Sequence, residues 1–593
     1  MTRRTHSPAG RRSRPRGLAP VAGALAAVVL VSGCASIPSG GGVGVIPLDD
    51  TDSAVQSQID AEGPAEGDVP DEIVRGFLAA GSGYADDFEV ARSFLTEDFS
   101  TEWNPFANVT VLTPGTNFDG MTAEVTTDQQ TVSFSVPVQA VLDDRRIMRE
   151  ANPGAMSDLE FTLRQVNGEW RIAHAPQGIV LSSANFSTLF QAYPLFFYTP
   201  DYTALVPDTR WFVRSPATAS EVMTEYLRGP ADYLSGAVAS AIPEGTQLDP
   251  RSVTVAEGQA QVGLSQQIED LDPVTLERAI DQITATLGEV GAITSVQVSG
   301  PSGTLVPGAN LDPTGVGMKD ARPVALSENA IVRISGTTVE AVPGLDAPVE
   351  GASDPAVSDA QIHDFGSGTV YAYLSGDGRE LRRQILGTQA QGGTGGAAVV
   401  AEGEDLVAPS VDRFGLVWTG ERTSDGRIRT ISAAGTETGL NAEFLDGRTV
   451  ARLAVSRDGT RLAVLSTGED DAPRIDVVGI LRNVDGHPTG LASSAPLAVG
   501  TTFRSITDFS WAGPDQLVVL GAREAGGSPQ PYVQHLPGLL DSLGSIDGSS
   551  SITAAEDLRS VRAGTESGDL FTYGGGSWQK VVGAAVFDVS YPG

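Results

Sequence analysis

The C-terminal half of the chain repeats one pattern, in which two short strands with alternating apolar residues flank a tight polar turn. The clearest copy is ARLAVSRDGTRLAVLS at 451–466, whose turn holds the Asp458-Gly459 pair. Equivalent stretches are LVAPSVDRFGLVWTG at 406–420 and ITDFSWAGPDQLVVLG at 506–521. Alternation with a period of two indicates strands that are buried on one face, and Asp-Gly is typical of hairpin turns.

Hairpins of this kind recur from about residue 318 to residue 593, at intervals of roughly 40–50 residues. We expect their second strands to begin near Ile331, Val370, Leu416, Leu462, Leu517 and Leu570. Four short strands in each interval predict an all-β propeller over 318–593. We expect six blades, with seven as an alternative because the glycine-rich stretch QGGTGGAA at 391–398 hides the boundaries. The SRDGTRLAVLS hairpin resembles the blades of TolB-type propellers.

The region 70–190 combines helical and alternating patterns. Ile73, Val74, Phe77 and Leu78 have helical spacing, and alternating stretches follow, one of them with an Asn167-Gly168 turn. Helices followed by a strand meander predict an α+β domain with helices packed on an antiparallel sheet. The stretch NGEWRI is similar to hairpins of cystatin-like and NTF2-like folds.

The region 191–305 predicts a second α+β domain. A strand pair in LFFYTPDYTALVPDTRWFV is followed by a helix in ASEVMTEYLRGP, and a second strand pair is followed by the helix PVTLERAIDQITATLGEV and the strand ITSVQVSG. The words YTPDYTALVPDTR, YLRGP, IPEGTQL and VTVAEGQAQVGLS resemble the GerMN domain and occur in its order. That resemblance implies a non-enzymatic module of envelope proteins, which binds a partner or a cell-wall ligand.

An arginine-rich head and a short apolar run at the N-terminus are typical of an export signal. The run VAGALAAVVLV at 21–31 is shorter than the ~20 residues of a membrane-spanning helix. Small residues then precede Cys34, the only cysteine of the chain. A buried thiol, a nucleophile and an attachment point are the alternatives, and the preceding signal favours attachment.

The segment VSGC resembles a bacterial lipobox. This resemblance implies a signal peptide at 1–33, cleavage after Gly33, and conversion of Cys34 to an N-palmitoyl, S-diacylglycerol cysteine at the outer face of the cell membrane. Glycine, proline, serine and acidic residues dominate 34–69, which we expect to be a flexible acidic tether.

Composition and motifs argue against nucleic-acid binding and against catalysis. The chain has 74 acidic and 39 basic side chains, a net charge of −35, which repels phosphate backbones. Its five histidines are scattered, and the metalloprotease, nucleophile-elbow and P-loop motifs are absent from the sequence. We therefore predict no enzyme activity, no catalytic residue, no cofactor and no metal site.

Four features have competing interpretations. Asp-Gly pairs such as those of SGDGRE, TSDGRI and SRDGTR could bind calcium, but they lack alternating oxygen ligands, so we expect tight turns. The stretch GEDD at 468–471 could bind cations, but we expect a solvated loop. We expect YPLFFYTP at 193–200 to be a core strand rather than a partner site. We expect the six tryptophans to pack in cores rather than to line a sugar groove.

The order of the parts, from lipobox and tether through two α+β domains to the propeller, resembles the LpqB family of actinobacterial lipoproteins. The resemblance implies an accessory of the MtrA–MtrB two-component system, which contacts the membrane sensor kinase MtrB and affects envelope homeostasis and cell division. The alternative is a module that binds peptidoglycan or another glycan through the GerMN groove or the propeller mouth.

Overall fold

The computed structural model describes residues 62–593, apart from 84, 117–123, 127–130, 307–319, 363–365, 388–395, 424–426, 493–494, 582 and 584. All described residues belong to one compact unit, Gln58–Gly593. The predicted signal peptide, Cys34 and most of the predicted tether lie outside the described residues.

The first domain packs short helices on a seven-stranded sheet. The central path of this sheet has the order β6-β5-β3-β1-β7, and β2 and β4 both pair with β3. Phe77 of α1 and Trp103 lie edge to face at 5.1 Å, in a core that the sheet completes. The elements are α1 Pro70–Ala80, α2 Glu89–Ser93, α3 Glu97–Glu102, β1 Val109–Leu112, β2 Glu124–Thr126, β3 Thr131–Leu142, β4 Met148–Glu150, β5 Met156–Val166, β6 Glu169–His174, β7 Ile179–Leu181 and α4 Ser183–Leu189.

The second domain contains a long two-stranded ribbon, two helices and a four-stranded sheet of order β10-β11-β12-β13. The amphipathic helix α6 begins at Pro273 after Asp272, whose side chain accepts hydrogen bonds from two backbone amides. The elements are β8 Phe190–Tyr198, β9 Leu205–Val213, α5 Thr218–Tyr226, β10 Thr254–Ala256, β11 Gln259–Gly263, α6 Pro273–Gly288, β12 Ser295–Gly300 and β13 Gly303–Thr304.

Six antiparallel sheets follow and form the propeller. The strands of the first three are β14 Val324–Ser327, β15 Ala330–Ser335 and β16 Thr338–Ala341; β17 Ser353–Ile362, β18 Gly366–Leu374, β19 Glu380–Leu386 and β20 Ala398–Glu402; and β21 Ser410–Val411, β22 Val417–Gly420, β23 Ile428–Ile431 and β24 Glu437–Leu440.

The strands of the last three sheets are β25 Thr449–Val455, β26 Arg461–Thr467, β27 Pro473–Arg482, β28 Pro488–Leu491 and β29 Leu497–Val499; β30 Ser505–Trp511, β31 Gln516–Ala522, β32 Gln530–His535 and β33 Leu540–Ser542; and β34 Ser549–Thr553, β35 Arg562–Thr565, β36 Leu570–Gly574 and β37 Ser577–Lys580. The last strand, β38 Phe587–Ser590, pairs with β14 and becomes the fourth strand of the first sheet.

This closure joins the two ends of the propeller. Strands β38, β17, β21, β25, β30 and β34 contact one another in sequence around a ring, and each is the innermost strand of its sheet. Counted outward from the innermost strand, the repeated hairpin forms the first and second strands of four sheets. The hairpins at Ile331 and Leu570 are instead the second and third strands of their sheets, so they do not occupy the equivalent slot.

No helix among the described residues has both the length and the apolar character that a membrane crossing requires.

Candidate functional site

One hydrophobic cluster joins all three domains, and we call it the junction cluster. The first domain contributes Ile147, and the second domain contributes Tyr233 and Leu234, all of them buried. The propeller contributes residues of its fourth and fifth sheets, among them Ile475, Val477, Val499, Phe503, Phe509, Trp511 and Val519. Because apolar area at a domain boundary is removed from water only when the domains are docked, this cluster stabilises one arrangement of the three domains.

A buried ion network lies beside this cluster, and its centre is Arg210 of β9. The Arg210 guanidinium is fully buried, and its nitrogens lie 2.6 Å from oxygens of both Asp208 and Glu225. Burial alone would lower the pKa of Arg210, but the carboxylates of Asp208 and Glu225 raise it above its usual value. The charge on Arg210 is therefore fixed at every pH at which the chain is folded.

The same network crosses from the second domain to the first. Arg145 of the first domain lies 2.6 Å from the carboxylate of Glu225, and Arg210 donates a hydrogen bond to the Arg145 carbonyl at 2.9 Å. Arg228 approaches the other oxygen of Glu225 at 2.7 Å. One carboxylate thus receives three guanidinium groups, and it specifies how the two α+β domains meet.

Contacts between the α+β domains and the propeller are polar as well as apolar. Glu150 of β4 accepts hydrogen bonds from the backbone amide and the hydroxyl of Thr501, at 3.1 and 3.2 Å. Burial raises the pKa of Glu150. The indole of Trp211 donates to the Pro537 carbonyl at 3.1 Å. Each α+β domain therefore has its own hydrogen bonds to the propeller.

A cleft of about 660 Å³, which we call the aromatic cleft, lies between the second domain and the propeller. Arg413 pairs with Asp201 of the second domain at 2.5 Å. The Phe414 ring lies between the guanidinium groups of Arg413 and Arg482, at 4.4 and 4.5 Å. Val484 stands at the rim with a fully exposed side chain. An exposed apolar residue beside an ordered aromatic ring suits contact with a protein partner.

The ring of innermost strands holds a second charged group of residues, the channel network. Arg452 of β25 lies 2.8 Å from Asp508 of β30 and 3.8 Å from Asp354 of β17. The backbone amide of Asp354 donates to Asp588 of β38 at 3.3 Å. Burial raises the pKa of Asp508 to about 6 and also raises that of Asp588. Two carboxylates thus share one guanidinium, and a third, Asp588, is hydrogen-bonded to the backbone of Asp354.

Neither network resembles a metal or acid–base centre. Among the described residues, no group of three or more His, Cys, Asp or Glu side chains is arranged to hold a metal ion. His174 packs against Phe99 of the first domain, and His535 lies 3.1 Å from Asp541 on the propeller. These two histidines have separate partners on different domains.

The predicted core strand and the predicted turn at Asp458 lie as expected, and the Asp-Gly pair of TSDGRI lies outside the described residues. Tyr193, Leu195, Phe197 and Tyr198 of YPLFFYTP are buried in the second domain. Asp458 accepts hydrogen bonds within its own hairpin turn from the Ser456 hydroxyl and the Thr460 amide. The interpretation of these residues as core strand and tight turn is confirmed.

The tryptophans and the GEDD stretch also occupy the predicted environments. Trp103, Trp418 and Trp511 are buried, while Trp170, Trp211 and Trp578 are partly buried and pack against hydrophobic cores. In GEDD, the residues 469–471 are exposed between β26 and β27.

The junction residues were not singled out from the sequence. Arg210 is the last residue of VPDTR, and Glu225 directly precedes YLRGP. The resemblance to GerMN domains rests on these segments but assigns no role to either residue. The available signal was a set of charged residues within otherwise apolar stretches, because such residues are buried only when they are paired.

Three family models match consecutive parts of the chain. They are "Lipoprotein LpqB, N-terminal domain" at residues 63–187, "Sporulation and spore germination" (Germane) at 194–300, and "Lipoprotein LpqB beta-propeller domain" at 329–590. The second domain is thus GerMN-like, and the C-terminal part is a propeller.

Full-length relatives agree with these matches. A protein named Lipoprotein LpqB from Thermobifida fusca is 28% identical over 613 residues, which cover 91% of this chain and 93% of the relative. Another of the same name from Cutibacterium acnes is 27% identical and covers 86% of this chain and 87% of the relative. The solved structure of TolB from Acinetobacter baumannii matches with a TM-score of 0.33 and 15% identity, over 46% of this chain and 65% of TolB.

Proposed function

Because this chain belongs to the LpqB family of lipoproteins, we propose that it is a lipid-anchored accessory protein at the extracytoplasmic face of the cell membrane. Cys34 is the attachment residue, with cleavage after Gly33. The basic head, the short apolar run and the small residues before this single thiol support the anchor. More than one acyl chain gives stable anchoring, at roughly 0.8 kcal/mol for each buried methylene.

In this proposal, the three folded domains bind the extracytoplasmic region of a membrane sensor kinase and modulate its signalling. By the family resemblance, the kinase is MtrB of the MtrA–MtrB system, and the signalling affects envelope homeostasis and cell division. The observation that carries the proposal is the junction, where buried contacts hold three domains in one arrangement and leave clefts between them. Such a fixed, multi-domain surface suits recognition of a large partner, and we infer no enzyme activity.

Site-specific crosslinking in intact cells tests this proposal. A photoreactive amino acid at Val484, on the rim of the aromatic cleft, should crosslink to the kinase. The matched control is Val274 at the start of α6, which is also exposed but does not line that cleft. Recovery of wall fragments but no kinase from position 484 would contradict the kinase proposal and would favour the glycan-binding alternative.

Glycan binding through the GerMN groove or the propeller mouth has weaker support. Sugar sites commonly present an aromatic face to the ligand, whereas the six tryptophans here are buried or partly buried against protein cores. The indoles of Trp418 and Trp511 donate hydrogen bonds to Asp412 and to the Ala454 carbonyl, so protein groups already use them.

The anchor has its own test, which does not depend on the partner. The Cys34→Ser variant should leave the membrane fraction and appear in the soluble or secreted fraction. If the variant stays in the membrane at the wild-type level, a different element anchors the protein.

A further inference from the structure

Glu277 of α6 is the exception among the buried acidic side chains of the described residues. Glu277 is 5% exposed, and its side chain has no hydrogen bond or ion pair with another described residue. The other buried acidic residues each lie within ion-pair distance of an arginine. They are Asp208, Glu225, Asp412, Asp458, Asp476 and Asp508. Because an unpaired charge is costly to bury, the carboxylate of Glu277 is suited to a cation from outside the chain.

Asp281 follows Glu277 by one helical turn and is also unpaired. The Oδ2 atom of Asp281 and the Oε1 atom of Glu277 are both buried without a hydrogen-bond partner among the described residues. Residues four apart on a helix have Cβ atoms about 5–6 Å apart, so the two carboxylates extend from neighbouring positions of α6. Asp281 is partly exposed, which connects the pair to solvent. At Ca–O distances of about 2.3–2.6 Å, one ion can contact both carboxylates.

A third oxygen, the hydroxyl of Tyr198 at the end of β8, belongs to the same group. Tyr198 is 1% exposed, and its hydroxyl has no hydrogen-bond partner among the described residues. Burial and then the charge of Asp281 raise the pKa of Tyr198 to about 12, and the charge of Glu277 adds to this rise. An unpaired hydroxyl on an almost fully buried side chain, beside two unpaired carboxylates, is a second observation that indicates a ligand site.

The neighbouring cation, Arg278, does not neutralise the two carboxylates. Its charge lowers the pKa of Tyr198, so it lies near the group. Its guanidinium is 4.2 Å from the centroid of the Tyr202 ring, however, and forms no ion pair with another described residue. Burial and the charge of Glu277 raise the pKa of Asp281 to about 6, as expected of a carboxylate that no cation pairs with. The group therefore keeps an excess of negative charge above pH 6.

We propose that Glu277, Asp281 and the hydroxyl of Tyr198 bind a calcium ion in the second domain. All three donors are oxygen atoms, which hard cations such as Ca²⁺ prefer. Ca²⁺ accepts about six to eight ligands in flexible geometry, so water completes the shell around the protein oxygens. Two carboxylates give a weak site, with a dissociation constant of about 10⁻⁴–10⁻³ M, as in extracellular modules. The inference concerns the second domain and does not rest on the kinase proposal.

Tyrosine-sensitised terbium luminescence of the full-length chain in detergent tests the proposal. Tb³⁺ is an oxygen-seeking analogue of Ca²⁺, and a tyrosine ring excites it only at close range, so Tyr198 and Tyr202 report occupancy. Ca²⁺ should displace Tb³⁺ from the wild type. We expect Glu277→Gln/Asp281→Asn to lower the Ca²⁺ affinity by about tenfold or more. The control Asp470→Asn/Asp471→Asn removes the same charge from exposed positions of the propeller and should leave the affinity unchanged.

Denaturant unfolding gives a second measurement, which does not depend on Tb³⁺. Ca²⁺ should raise the unfolding midpoint of the wild type but not that of Glu277→Gln/Asp281→Asn, because a ligand stabilises only the state that binds it. Without Ca²⁺, the double variant should be at least as stable as the wild type, since two unpaired carboxylates become neutral.

Equal Ca²⁺ affinity in the wild type and the double variant would overturn the proposal. An equal loss of affinity in the propeller control would also overturn it, as would displacement of Tb³⁺ by Na⁺ at matched ionic strength. Either result would show diffuse attraction of cations to the net charge of −35 instead of a site on α6.

Discussion

The junction and the channel both contain buried charges, but different groups in them respond to burial. At the junction, three guanidinium groups surround the single carboxylate of Glu225. In the channel, the single guanidinium of Arg452 pairs with two carboxylates, those of Asp508 and Asp354. At the junction, the carboxylates of Asp208 and Glu225 keep the pKa of Arg210 above its usual value despite burial. In the channel, burial raises the pKa of Asp508 to about 6. The channel therefore contains a carboxyl group that titrates near pH 6, whereas the central cation of the junction keeps its charge there.

The largest expected effect comes from removing the central cation of the junction. Arg210→Met leaves Asp208, which is fully buried, without its ion-pair partner. We expect the free energy of unfolding to fall by about 3–5 kcal/mol, as for other broken buried pairs. Denaturant unfolding of the full chain measures the change, and Arg251→Met is the exposed control. A loss below 1 kcal/mol would mean that the junction network does not hold the domains together.

The channel predicts a pH dependence with a defined sign. The pKa of Asp508 is about 6 in the folded chain, against 3.8 for an ordinary aspartate. The folded chain therefore binds this proton more tightly than the unfolded chain, so stability is greatest below about pH 4 for this group and is lost as the pH rises through 6. We expect the free energy of unfolding to fall by about 1–3 kcal/mol between pH 4 and pH 7. Burial also raises the pKa of Asp476 to about 6, so Asp476 contributes a pH dependence of the same sign.

The measurement is the free energy of unfolding as a function of pH for the wild type and for Asp508→Asn. The variant should have a shallower slope between pH 4 and pH 7, whatever its absolute stability, because one titrating group is gone and the contribution of Asp476 remains. A parallel slope in the variant would assign the dependence to other groups and would remove the contrast between the channel and the junction.

The smallest expected effect comes from the third cation at Glu225. The Arg228 side chain is 46% exposed, and Arg145 and Arg210 still pair with Glu225 after its removal. We expect Arg228→Ala to lower the free energy of unfolding by less than about 1 kcal/mol. A loss as large as that of Arg210→Met would show that the three guanidinium groups act as one unit, which a double-mutant cycle would measure.

Local patterns were sufficient to predict most of the architecture. Alternation on either side of Asp458-Gly459 defined the hairpins of the propeller, and helical spacing at Ile73 and Phe77 defined the first helix, because both patterns repeat within a few residues. The words shared with GerMN domains located the second domain, in agreement with the family match at 194–300.

The junction could not be predicted in this way. Arg145 and Glu225 are 80 residues apart in the chain, and each occurs in a segment whose period shows which face is buried but not what lies against it. The hairpin at Ile331 does not match the position of the others because β38, far from β14 in the sequence, supplies the innermost strand of the first sheet. The hairpin at Leu570 joins β35 and β36, the second and third strands of the last sheet.

The pairing of β38 with β14 also affects the order of events during synthesis. Strands β14 to β16 emerge first, yet the inner edge of β14 has no partner until β38 has been made. An unpaired strand edge can template pairing with another chain, so the nascent propeller carries an aggregation-prone edge for as long as synthesis of the later sheets takes. Loss of β38 alone would leave that edge open for the lifetime of the protein and make a short truncation a target for quality-control proteases.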